Sequence, residues 1–396
     1  MGLGPSSSNN PIIRNVFIER GFATVNKSLP RTLTLAILAA AALGPACGKG
    51  PDFRVQTATE SGITVVKNPG RPLHKKASLA MIQERVWNGR EEGLDTFSTI
   101  DSFAVDADGT VFLCDEDAAL IKTYTGQGER LGAFATSTEK AGGLEHPRIV
   151  GLTASGELAV ESGGHRTLAF YARDGSLLRS VSLAAYNIFR LGVDPQGRIL
   201  MHYYRYRSPN VVYYLRLFDV ELKELWSYGQ YWEPQSIGAD FYAYLPILWW
   251  TIDARGGVVY GHPQRYEMKA FDENGAPIRI IRREGKPLAV SEAEKKAYRR
   301  EYAKAPYVRL HFPEAHSAYQ KFTVDDKGWM YVMSWEQANK KAGYWYDVYD
   351  DKGIYTARVA LDRMPQLWRG GRVYTLDRHA SGTVVLSRNR IALDLR

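Results

Sequence analysis

Three histidines stand at matching places in a repeating chain: His165, His262 and His379 each fall in a loop after the second short apolar run of a repeated unit. Neutral imidazoles converging from separate loops can hold a zinc or similar divalent ion while one coordination position keeps a water. That is the chemistry of a metal-dependent lyase or hydrolase. Asp115 and Glu336, in corresponding loops, would supply a carboxylate for proton transfer. The same loops carry Arg166, Arg265 and Trp335, residue types that dominate binding energetics. Loop histidines are more often solvated or hydrogen-bonded than metal-bound, so the eight residues read first as ligand contacts. The three histidines are the metal candidates, no cofactor is firmly implied, and no residue is assigned a catalytic role. The local signatures G-x-S-x-G, H-E-x-x-H and the P-loop do not occur.

The elements that must position these residues are announced by a recurring turn. An apolar residue, a short polar stretch and a glycine are followed 19 positions on by a second glycine: Val105-Asp106-Ala107-Asp108-Gly109 with Gly128, Leu152-Thr153-Ala154-Ser155-Gly156 with Gly175, and Ile252-Asp253-Ala254-Arg255-Gly256 with Gly275. Recurrence at a fixed offset marks an internal structural repeat. Alternating apolar runs between the glycines, such as Val111-Phe112-Leu113-Cys114 and Ile121-Lys122-Thr123-Tyr124, supply the hairpin-linked strands of a propeller blade. Asp194 with Gly197 and Asp325 with Gly328 open two further units, and the run from Leu367 to Ser387 gives a sixth with only three strands. The turn aspartates Asp106, Asp194, Asp253 and Asp325 are structural, since Asp near Gly closes a turn through its side chain. The chain therefore reads as an all-β, six-bladed β-propeller over 58–396. Unpaired edges invite association, so an N-terminal strand is expected to close the last blade, with Ile63, Val65 and Val66 beside Val384 to Leu386. One short helix, capped by Ser291 and Glu294, is expected in the second of two long insertions, 230–248 and 285–318.

The order of the "ITVVKNP" strand, the "FAVDADGTVFLCD" unit, four further blades and the terminal "RVYTL...GTVVLSRNRI" resembles the bacterial six-bladed propeller family related to NHL-repeat and TolB-like propellers. The resemblance implies a six-bladed ring, often exported and lipid-anchored, with no shared catalytic motif.

Residues 1–46 stand outside the repeat. Lys27 and Arg31 precede an apolar stretch from Leu33 to Leu43, and Gly44-Pro45-Ala46 lead to Cys47, which is the order of a lipoprotein-type secretory signal. Cys47 is the expected lipidation site, residues 47–57 the linker, and the membrane is met through the anchor; ordinary secretion to the periplasm or medium is the alternative. A start at Val25 would give a more compact leader. Cleavage before Cys47 leaves 47 basic residues against 42 acidic, a charge of +5 in place of +8. So modest an excess, on an exported chain, excludes nucleic acid as the expected partner. Hydrophobic residues at 45% can build a large core, and 36 glycines suit many tight turns. Cys114, within an apolar run, reads as a small core residue.

The expected function is that of a monomeric, exported, lipid-anchored binding module of the cell envelope, taking a peptide, glycan or protein partner. A metal-dependent lyase or hydrolase and a structural part of envelope assembly are the alternatives. The ligand face is expected where loops between second and third strands open, lined by His165, His262, Trp335 and His379 beneath the two insertions.

Overall fold

The computed structural model describes residues 54–87, 100–136, 146–162, 165–208, 210–234, 240–304, 308–338, 343–378 and 384–396. Cys47, the expected signal segment 1–46 and His379 lie outside the described residues.

The described residues open with three strands, β1 (Gln56–Glu60), β2 (Ile63–Asn68) and β3 (Ser78–Trp87). Five four-stranded antiparallel blades follow in simple succession: β4–β7 over 100–135, β8–β11 over 148–182, β12–β15 over 187–234, β17–β20 over 249–283 and β22–β25 over 321–361. The sixth holds β26–β28 over 367–394 and takes β3 as its outer strand, in the order β26-β27-β28-β3. Six blades close into a ring, as the repeat count requires.

In the first five blades the turn read from the sequence joins the first strand to the second. In blade four the Asp253 carboxylate accepts the amide N–H groups of Arg255 and Gly257, both at 2.8 Å, and Asp325 does the same for Lys327 and Trp329 in blade five. The glycine of the turn is left-handed, at φ +88° for Gly109, a region that penalises a Cβ. Blade three lacks a glycine at its last turn, and Leu222 adopts φ 61° there.

Among the described residues the core consists of six apolar clusters, one between each pair of neighbouring blades. Phe112, Cys114 and Ile121 of blade one meet Leu158, Val160 and Tyr171 of blade two. The ring closes where Trp87, Tyr374 and Leu386 pack on Val111, Leu113 and Tyr124. Cys114 is buried, with Sγ 3.2 Å from the carbonyl oxygen of Pro147.

Closure by an N-terminal strand holds, but the strand is β3, whose Trp87 pairs with Leu386 and Val86 with Ser387. The expectation that Ile63, Val65 and Val66 would pair beside Val384 to Leu386 is overturned. β2 instead adds in parallel to the outer edge of blade four, Val65 opposite Ile280 and Val66 opposite Ile281, and β1 folds back on it to make a six-stranded sheet. The reason is a buried side chain: Asn68 donates to the carbonyl oxygen of Gly353 at 2.9 Å and accepts the Tyr355 N–H at 2.7 Å. Those bonds fix β2 between blades four and five. The next residues run along blade five, where the amides of Leu73 and His74 donate to Tyr355 and Thr356, before β3 reaches blade six. A single strap thus covers the outer edges of three blades.

Candidate functional site

The first strands of the six blades surround a cavity of about 2040 Å³ that follows the ring axis. At one end lie the turn residues Asp253 and Asp325, and at the other the loops between second and third strands and the long insertions. The insertions meet each other. β16 (Asp240–Tyr242) of the first pairs in parallel with β21 (Arg309–His311) of the second, and Arg309 holds Asp240 with Nε and Nη2 at 2.9 and 2.8 Å. The helix, α1 (Glu292–Glu301), carries the expected capping box: Glu294 N–H donates to Ser291 Oγ at 3.3 Å and Ser291 N–H to Glu294 Oε2 at 2.8 Å. Its tyrosines pack on the first insertion, Tyr302 on Phe241 at 4.9 Å and Tyr298 on Tyr244 at 5.0 Å.

Of the eight residues read from the sequence as ligand contacts, two line this cavity. Trp335 does so on the insertion side. Its ring stacks on His316 at 4.5 Å, meets Tyr244 edge-on at 5.4 Å, and its Nε1–H donates to Ser317 Oγ at 3.0 Å. Three contacts hold one rotamer, so the ring is preorganised. His165 is the other, with Nδ1 2.5 Å from Oε2 of the buried Glu161. A carboxylate on Nδ1 favours the tautomer that leaves Nε2 as an acceptor.

The remaining six are elsewhere or outside the description. His262 is half-buried against the ring of Tyr231 at 5.0 Å, not on the cavity wall, and burial pushes its imidazole down to about 4. Asp115 is buried and spent on Lys122, 3.9 Å away, and on the Ala118 N–H. Arg166 and Arg265 are exposed. Glu336, also exposed, accepts from Arg358 at 2.7 Å. His379 lies outside the described residues. Among the described residues, no group of three or more His, Cys, Asp or Glu side chains is placed to hold a metal ion.

Sequence reasoning missed the charged residues of the inner strands. Arg190, on β12, lies over two indoles, with its guanidinium carbon 4.0 Å from the Trp249 ring centre and 4.1 Å from that of Trp250. Its Nη1 donates to the Trp250 carbonyl oxygen at 2.9 Å. Lys321, on β22, has its ammonium 6.0 Å from the same Trp249 ring, so the two cationic heads lie within 10 Å of each other. Trp249 is fixed by donating Nε1–H to the carbonyl oxygen of Phe322 at 2.8 Å. Arg148 stands beside Glu161 at 3.9 Å and also faces the cavity. Burial pulls Arg190 down to about 9, with repulsion from Arg148 adding to it, and burial followed by the charge of Arg190 lowers Lys321. Around Arg190 and Lys321 the wall is basic and aromatic, a setting in which a fixed charge acts more strongly than in water, while Glu116, Glu161, Asp253, Asp325 and Asp326 also line the cavity.

No family model matches the chain, and no curated protein matches its sequence. Solved structures do resemble it. A Bacteroides fragilis protein inferred to be exported shares 7% identity at a TM-score of 0.45, covering 84% of this chain and 99% of its own. A DUF4221 member from Bacteroides vulgatus shares 10% at 0.47, over 81% of this chain and 99% of that one. The virginiamycin B lyase of Staphylococcus aureus shares 8% at 0.40, over 79% and 99%. At these values the likeness concerns the ring alone, and the chain's chemistry has to be argued from its own cavity.

Proposed function

We propose that this protein is an exported binding propeller, lipid-anchored at Cys47 and affiliated with the NHL-repeat and TolB-like lipoproteins, that takes a segment of a peptide, glycan or protein partner into its axial cavity. One observation carries the reading: a large cavity, walled by aromatic side chains held in fixed rotamers, opens beneath two insertions that brace each other. Sites of this kind bind through rigid aromatic anchors that lose little entropy. The export signal and Cys47 support the address.

Trp335→Ala should weaken partner binding by about 1 to 4 kcal/mol, while Lys327→Ala, at the turn on the opposite face, should leave it unchanged. Titrating the two variants against a ligand that co-purifies with the native protein checks this. Equal losses from both would move the site elsewhere. Cys47→Ser should release the protein from the membrane fraction, because a stable anchor needs its acyl chains. Retention after a salt wash would count against the lipid anchor.

A second reading is favoured by a specific pair. His165 lines the cavity and is oriented by Glu161 at 2.5 Å, the arrangement of a general base. In a lyase or hydrolase, with or without a divalent metal, His165→Gln would abolish turnover while sparing ligand binding. In a binding module it would change affinity only.

A further inference from the structure

From Arg190, Lys321 and Trp249 we infer an anion seat within the axial cavity, built to take a carboxylate or phosphate group attached to an aromatic or other flat apolar body. The inference rests on the cavity being the ligand site and adds the ligand's chemical class to that reading.

Three observations lead to it. Arg190 has five N–H groups and spends one, on Nη1, on the Trp250 carbonyl oxygen, while its flat face is covered by two indoles. Neither Arg190 nor Lys321 forms an ion pair with a carboxylate among the described residues, and the charges acting on them are repulsive: Arg148 on Arg190, and Arg190 on Lys321. Other cations of the ring are treated differently. Arg198 is held by Asp194 at 2.6 Å, Arg179 by Glu157 at 2.6 Å and Arg283 by Asp347 at 2.6 Å.

Holding two like charges within 10 Å in a half-buried wall is unfavourable unless something compensates it. An anion placed between them compensates both. The guanidinium offers a planar fork to a carboxylate or phosphate, and the ammonium a second, point-like contact. Trp249 and Phe189, both half-buried, line the cavity wall, so a flat apolar body attached to the anion has aromatic surface to cover, while Trp250 beneath Arg190 is buried. A bare inorganic ion would leave that surface unused.

The test is calorimetric titration of the full mature protein with phenyl phosphate, benzyl alcohol as the uncharged counterpart, and inorganic phosphate. Phenyl phosphate should bind saturably and at least tenfold more tightly than either of the others. Lys321→Met and Arg190→Gln should each reduce that affinity tenfold or more without changing benzyl alcohol binding. Lys321→Met keeps the stem that packs near Trp249, so it stands as the informative variant should Arg190→Gln disturb folding. If benzyl alcohol and phenyl phosphate bind equally, or if Lys321→Met leaves phenyl phosphate affinity unchanged, the seat is refuted while the cavity reading survives. If inorganic phosphate binds as tightly as phenyl phosphate, the aromatic half of the ligand assignment is wrong. If none of the three binds, the seat is refuted, and the cavity reading is judged separately by the Trp335→Ala titration against the co-purifying ligand.

Discussion

His202 shows what burial does to a titratable side chain in this ring. It is fully buried on β13, with Nε2 3.0 Å from the Tyr231 hydroxyl, and burial, with the charges of Arg190 and His262 behind it, pushes its imidazole down to about 3. His262 next to it is lowered to about 4 by burial. In the unfolded chain both rings titrate near 6.5. Below that pH the unfolded state therefore binds protons that the native state refuses, and stability falls as pH drops from about 6.5 toward 4. The slope is bounded by about 1.4 kcal/mol per pH unit for each ring. Urea unfolding at pH 7, 6 and 5 should show this decline, and His202→Gln should flatten it; an equal slope in the variant would refute the assignment. At this scale some of the site was legible. Counting four residues back from the turn aspartates Asp194, Asp253 and Asp325 gives Arg190, Trp249 and Lys321, so the repeat already placed these three side by side on inner strands. They lie on strands, outside the loops that carry the other candidates. Arg148 stands five before Thr153 because a bulge between Ile149 and Gly151 inserts a residue, which no periodicity reveals.

The N-terminal strap belongs to the scale of elements, and there the sequence was legible in kind but not in register. An unpaired strand was needed by the last blade, and two candidate strands, β2 and β3, were available. Alternation cannot choose between them. β2 is selected for blade four by Asn68, whose side chain meets backbone groups 285 and 287 residues away, and no local pattern encodes a contact of that range. The consequence is a graded truncation series. Removing the chain through Asn68 takes away the outer hairpin and should lower the melting temperature while leaving a cooperative, closed ring. Removing it through Trp87 exposes the edge of β28 and the cluster that joins blades six and one, and should abolish cooperative unfolding. Thermal melts followed by circular dichroism would separate the two. Equal effects would mean that β3 is not the closing strand. The capping box of α1 was fully legible, since Ser291 and Glu294 are neighbours in sequence, whereas the pairing of β16 with β21 joins segments nearly 70 residues apart.

Across the whole molecule, blades are joined by apolar clusters and, between blades four and five, by a buried charge. Asp347 is fully buried and takes Arg283 at 2.6 Å, Tyr266 at 2.7 Å and Tyr355 at 2.6 Å. Asp347→Ala strands Arg283 without its partner and should cost about 3 to 5 kcal/mol in denaturant unfolding; a loss below 1 kcal/mol would show that the network contributes little. The contrast with Arg190 and Lys321 is the basis of the functional account, because the same ring pairs its structural cations and leaves these two facing the axis. The most direct test of the axial site is photo-crosslinking in the producing cell. A benzoylphenylalanine replaces either Tyr206, on the cavity rim, or Lys327, at the turn on the opposite face. The account predicts adducts with a second molecule from position 206 and none from position 327. Adducts from position 327 alone, or equally from both, would contradict it.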